Sequence, residues 1–187
     1  MYHDIKTVIP KSEDGFFVDT NVWYWTTYVA SKSFLARQPQ DYQVDYYPTF
    51  IESALENNAD LYYSPLTLIE LANLIERSEW EIYKAYNSSD NITLKKFRGI
   101  PAERSAVLEE IKAAWSSIKS MATELVSDLN SQTSDDFIDT IEKYKIDGYD
   151  ALYYQIMKHH DVKNIITDDK DFRPINDINF YSCYPSR

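Results

Sequence analysis

Four acidic positions stand where a strand is expected to end or a helix to begin. Asp19 follows Gly15-Phe16-Phe17-Val18, Glu70 lies in one helix start, Asp150 in another, and Asp168, Asp169 and Asp171 follow Ile165-Ile166-Thr167. Carboxylates gathered side by side cannot all stay ionised, because each charge disfavours its neighbour. A divalent cation relieves that conflict. Mg2+ and Mn2+ suit the task, since hard ions take oxygen ligands, keep waters and share phosphate oxygens in phosphoryl chemistry. Each acid also has a plainer reading. Asp19 or Thr20 serves equally as a helix cap, Thr67-x-x-Glu70 has capping-box spacing, and Asp147 is placed to cap the helix that carries Asp150.

The elements that must position these acids follow from periodicity. Tyr149, Leu152, Tyr153, Ile156, Met157 and His160 recur every three or four residues, which makes one apolar helix face with Asp150 at its first turn. Ile165-Ile166-Thr167 is too short and too β-branched for a helix, so it reads as a strand ending in acids. In an open parallel α/β sheet that carboxyl edge is where ligands bind. Gly15-Phe16-Phe17-Val18 and Leu61-Tyr62-Tyr63 read as strands, Asn179 to Tyr184 as a last one, and Thr7-Val8-Ile9 as a short one within an otherwise polar extension, residues 1–14.

Between the strands, Val22 to Ala30 is compatible with a helix, and residues 31–47 form a Tyr-rich connection open to roles as a lid or a partner surface. Pro48 suits the first turn of a helix carrying Phe50, Ile51, Ala54 and Leu55. Leu68, Leu71, Ala72 and Ile75 mark a long helix after Pro65. Pro101 opens another through about Leu129, and Phe137, Ile138 and Ile141 mark a short one. Lys95, Lys96, Arg98 and Arg104 surround Phe97 in the main local excess of positive charge. This is a candidate substrate-binding element with an aromatic for base stacking; a solvated face or a set of salt-bridge partners is the alternative.

The totals narrow the class. The chain has 187 residues, enough for one sizeable core with insertions, and 44% hydrophobic with 26% charged residues is ordinary for a globular protein. Three glycines argue against a Gly-rich phosphate loop. No apolar run reaches the roughly 18 residues of a membrane span, and no apolar signal segment opens the chain, so a cytoplasmic protein is expected. The lone Cys183 fits a reducing compartment. A net charge of −11 opposes general affinity for nucleic acid, so any such role needs a local exception.

The segments FFVDTNVW, PLTLIELANLI, DGYDALYYQIM and NIITDDKDF, in that order, resemble the four motifs of PIN-domain ribonucleases, a resemblance spanning about residues 15–184. It implies a three-layer α/β/α sandwich on a mainly parallel sheet, from residue 15 to 187, with an enlarged helical insertion at about 88–130. It also implies a metal-dependent endoribonuclease that leaves a 3′-hydroxyl and a 5′-phosphate. Asp19, Glu70, Asp150 and Asp169 become the metal ligands or activators of the attacking water, supported by Asn21 and Thr167. Asp169 is chosen because the motif places its acid two residues after the threonine. Strand alternation then makes Asp171 an outer-shell candidate and leaves Asp168 solvated. The implied cofactor is Mg2+ or Mn2+, and the implied partners are an RNA substrate, an antitoxin protein and a second copy of the chain, with no membrane. The enlarged 31–47 and 88–130 regions depart from compact members of the family. They motivate a second reading, a non-catalytic PIN-like module that binds a protein. A phosphatase with an Asp19 nucleophile is a third, although Asn21 stands where such enzymes carry a second aspartate.

Overall fold

Along the central strands consecutive side chains are buried alternately against two separate cores, the pattern of a parallel sheet covered on both faces. Phe16 and Val18 pack with Trp23, Phe50, Ile51, Leu71, Ile75 and Ile118. Phe17, between them, packs with Tyr153, Ile156, Met157, Ile165 and Phe172 on the opposite face. The computed structural model describes residues 1–87, 91–126 and 131–184.

Within those residues six strands form one sheet: β1 Tyr2–Asp4, β2 Gly15–Val18, β3 Asp60–Tyr63, β4 Thr123–Glu124, β5 Asn164–Ile166 and β6 Asn179–Ser182. Their spatial order is β1-β6-β5-β2-β3-β4, and each neighbouring pair is parallel. The helices are α1 Thr20–Trp23, α2 Asp41–Glu56, α3 Pro65–Asn87, α4 Leu94–Arg98, α5 Pro101–Met121, α6 Ser131–Tyr144 and α7 Gly148–His159. The result is the expected three-layer sandwich, with the sheet wholly parallel among the described residues. The chain leaves β2 toward β3 and β4, then returns to the other side of β2 with β5. That reversal opens a crevice above the carboxyl ends of β2 and β5.

Several local expectations change. The N-terminal strand is Tyr2–Asp4, paired with β6, and Thr7-Val8-Ile9 is not a strand. The Tyr-rich connection is partly helical, because α2 begins at Asp41 and keeps Pro48 inside it. Gln43 Oε1 accepts the Gln40 amide at 2.9 Å and closes the helix start. Helix α5 stops at Met121, where Ala122 turns extended (φ −141°, ψ 158°) to enter β4; the remainder of the span expected to reach Leu129 lies partly outside the described residues. After α1 the chain continues through a π turn, Tyr24–Tyr28, and a 3-10 turn, Val29–Ser31. There the Thr26 and Thr27 hydroxyls bond back to the carbonyls of Val22 and Trp23.

The basic stretch is structural in part. Arg98 and Arg104 both pair with Glu76, a glutamate only 5% exposed on α3. These ion pairs fasten α4 and α5 onto α3 and hold the Glu76 carboxyl below its ordinary range, chiefly through Arg98. Phe97 is buried against Tyr83, so it is not available to stack on a base. Lys95 and Lys96 are exposed.

Candidate functional site

The crevice is built from strand ends inward. The β2–β5 ladder continues one step past β2, with the Asp19 amide donating to the Ile166 carbonyl at 3.0 Å. This carries the Asp19 side chain, 4% exposed, beside the first residue after β5. Although Asp19 occupies the cap position of α1, its side chain makes no cap bond. Instead the Thr167 hydroxyl donates to Asp19 Oδ2 at 2.6 Å and accepts the Asp169 amide at 2.8 Å. One threonine thus couples the first acid to the last loop.

Helix α7 supplies Asp150. Asp147 caps that helix as expected, accepting the amides of Tyr149 at 2.8 Å and Asp150 at 3.0 Å. Asp150 is 6% exposed, and its Oδ2 is buried without a hydrogen-bond partner. A carboxylate oxygen so placed is strongly penalised unless a cation or proton meets it. Ligand oxygens of Asp150, Asp169 and Asp171 all lie within 4.8 Å of one another. Asp171 therefore stands in the central cluster, where its amide also donates to Asp169 Oδ1 at 2.8 Å.

Glu70 reaches the site by a different route. The start of α3 is closed by Thr67, whose hydroxyl accepts the Ser64 amide at 3.3 Å, so the Thr67-Glu70 capping box does not form. Glu70 Oε2 instead accepts the Tyr153 hydroxyl at 2.8 Å, and that hydroxyl is 2.8 Å from Thr20 Oγ1. Because the single phenolic proton goes to Glu70, Thr20 is the donor to Tyr153. Tyr153 was legible only as part of an apolar face. Its position three residues after Asp150, one helical turn on, is the signal that could have marked it.

Burial and crowding set the protonation of these acids. Burial, with the Glu70 and Asp169 charges, pushes Asp19 up to about 7, against the opposing pull of the Thr167 hydroxyl and the Asn21 backbone. Burial and the charges of Asp19, Asp147, Asp169 and Asp171 push Asp150 up to about 9. Asp169 is raised as well, first by burial. Buried oxygen donors, an unpartnered oxygen and mutual repulsion together fit a hard divalent cation.

The neighbouring Asp168 is not solvated. The chain has left β5 by this point, so strand alternation does not govern it, and its side chain is held by α2 at the edge of the same cleft that Asp169 lines. Asp168 accepts Tyr42 at 2.9 Å, Gln43 at 2.6 Å and Tyr47 at 2.8 Å. Asn21, Trp25, Tyr42, Gln43, Lys170 and Tyr184 join Asp168, Asp169 and Asp171 around a cleft of about 520 Å3. Arg98 and Arg104 are committed to Glu76, and none of Lys95, Lys96, Arg98 and Arg104 lines this cleft.

With that geometry in view, comparison with known proteins defines the class. The model of the PIN domain matches residues 16–177, and the chain belongs to the PIN domain family. No curated protein matches it in sequence. Among solved structures it is similar in fold to the crystal structure of VapBC2 from Rickettsia felis bound to a DNA fragment from their promoter. That likeness has a TM-score of 0.54 at 12% identity, covering 90% of this chain and 98% of that one.

Proposed function

We propose that this protein is a metal-dependent endoribonuclease, the toxin of a toxin-antitoxin pair. The observation that carries the reading is the meeting of Asp150, Asp169 and Asp171 within 4.8 Å beside buried Asp19, with one Asp150 oxygen unpartnered. Membership in the PIN family supports nuclease chemistry on such a centre. Asp150, Asp169 and Asp171 would hold Mg2+ or Mn2+, with Asp19 beside them and Glu70 near enough for its charge to act on Asp19. Once bound, the cation supplies a nucleophile at neutral pH and offsets charge developing on the phosphate.

The chain's own residues set the conditions for that step. Asp19 and Asp150 hold protons near neutrality, so loading the site expels them, and affinity rises with pH. Thr167 keeps Asp19 in register with the Asp169 backbone. Thr20 and Tyr153 orient Glu70 as an acceptor. Asn21 lines the cleft beside the acids, placed to orient a phosphate or water. On the partner side, the fold likeness to VapBC2 supports an antitoxin protein.

The direct test is hydrolysis of a labelled oligoribonucleotide with Mn2+ or Mg2+ by the full chain, Asp19→Asn and Asp150→Asn. Each substitution is expected to lower the rate by a factor of about 100 or more, the scale of removing a preorganised charge at the reacting centre. Undiminished cleavage by both variants would sink the assignment. Absence of divalent-ion binding at millimolar concentration by calorimetry would instead favour the protein-binding module.

A further inference from the structure

A second cavity, about 820 Å3, adjoins the acid cleft and shares Lys170 and Tyr184 with it. Its lining is mixed, with Phe172, Ile175, Ile178, Phe180 and the Tyr184 ring beside the polar Asn176. The two basic residues on it are exposed, and both rest on that ring: Lys170 Nζ lies 4.9 Å and Arg173 Cζ 4.8 Å from the Tyr184 centroid. Among the described residues neither cation forms an ion pair. This distinguishes them from Arg98 and Arg104, which are consumed by Glu76. Tyr184 Oη is buried without a hydrogen-bond partner, and the nearby Ser182 hydroxyl is engaged by Tyr47.

From this we infer that the cavity is a nucleotide subsite beside the cleavage centre. It takes one unstacked base of single-stranded RNA, while Lys170 and Arg173, resting on Tyr184, hold the flanking phosphates. The inference rests on the nuclease reading for the identity of the strand. Its structural basis is independent, because a lining of mixed polarity with a cationic rim matches a base, which has polar edges, and its phosphates. A chain carrying −11 must recruit phosphate locally, and Lys170 is the one cation among the described residues lining the acid cleft. A basic inhibitory peptide would be drawn to the acids and repelled by these two cations, so RNA is the better occupant.

Binding is measured by fluorescence anisotropy of a single-stranded oligoribonucleotide on the Asp150→Asn chain, which separates affinity from cleavage. Lys170→Gln with Arg173→Gln, both at exposed positions, is expected to weaken binding about tenfold. It should flatten the log–log salt slope by about 1.4, the release expected for two phosphate contacts on a single strand. Lys95→Gln with Lys96→Gln serves as the control and is expected to change neither. A series of oligonucleotides with one abasic position each should lose affinity at one position only. Unchanged affinity in the Lys170 and Arg173 variant, an abasic series without a weak position, or no RNA binding at all would each overturn the subsite. If the wild type cleaves RNA while binding ignores Lys170 and Arg173, the subsite fails and the nuclease stands. If binding depends on them but the wild type never cleaves, the reverse holds.

Discussion

A carboxylic acid that must lose its proton to act is a liability until its partner arrives, and Asp150 shows this most sharply. Its folded value of about 9 stands far above the unfolded one, near 4. The folded state therefore binds more protons than the unfolded state over that interval, and stability falls as pH rises through it. Asp19, at about 7, acts in the same direction. The advantage of the protonated form is complete below about pH 4 and is eroded as pH climbs toward the folded values of about 7 and 9. Metal-free protein is expected to melt at a lower temperature at pH 8 than at pH 5. Asp150→Asn, which keeps a neutral side chain of similar shape, should raise the pH 8 melting temperature and flatten the pH dependence while abolishing cleavage. Thermal melts in chelator read this directly, and a variant less stable than wild type at pH 8 would contradict it. Such a trade of stability for function is usual at charged sites.

At the scale of elements, the site hangs on two helices whose roles differ in how openly the sequence declares them. Helix α7 was legible in its Asp147 cap, its Asp150 and the buried Tyr153, Ile156 and Met157, whereas Tyr149 and His160 of the expected apolar face are exposed and Tyr154 is buried in their stead. The two strands that end in acids, β2 before Asp19 and β5 before Asp168, were legible too, whereas β1 was misplaced and β4 fell within an expected helix. The start of helix α2 was not legible, because Pro48 reads as a helix opener and Asp-Tyr-Gln as loop. What holds that first turn is local and tertiary together: Gln43 closes on the Gln40 amide, and Tyr42, Gln43 and Tyr47 converge on Asp168, more than a hundred residues away in sequence. No local pattern encodes such a partner. Glu70 was ambiguous for the same reason, its acceptor role depending on Tyr153 from another helix. The buried Tyr47 hydroxyl touches the Thr167 carbonyl at 3.1 Å, Asp168 at 2.8 Å and Ser182 at 2.8 Å. Tyr47→Phe should therefore destabilise the fold by about 2 kcal/mol, the scale of leaving buried polar groups unpaired. A urea titration showing no change in midpoint would deny α2 this part.

The whole molecule concentrates its acidity unevenly, and the crevice is where the surplus can be discharged. A cation that binds the folded chain alone stabilises it by mass action, by about 2.7 kcal/mol at a hundred times its dissociation constant. For a chain of 187 residues that corresponds to roughly 5 to 10 °C in melting temperature. Mn2+ is expected to give such a rise, larger at pH 8 than at pH 5.5, because protons compete for Asp19 and Asp150 at the lower pH. Asp150→Asn with Asp169→Asn should remove it. An equal rise in that double variant would place the ion elsewhere.

The sheet order also dictates a timetable. Strand β6 lies between β5 and β1, with Tyr2 in register with Phe180. A nascent chain emerging from the ribosome thus carries β1 without its neighbour until residues 179–182 have been made, and Asp19 waits 148 residues for Thr167. The acid centre cannot be assembled piecemeal during translation. It closes only once β5 and the acids behind it have been made, so no shorter nascent chain carries a complete acid centre.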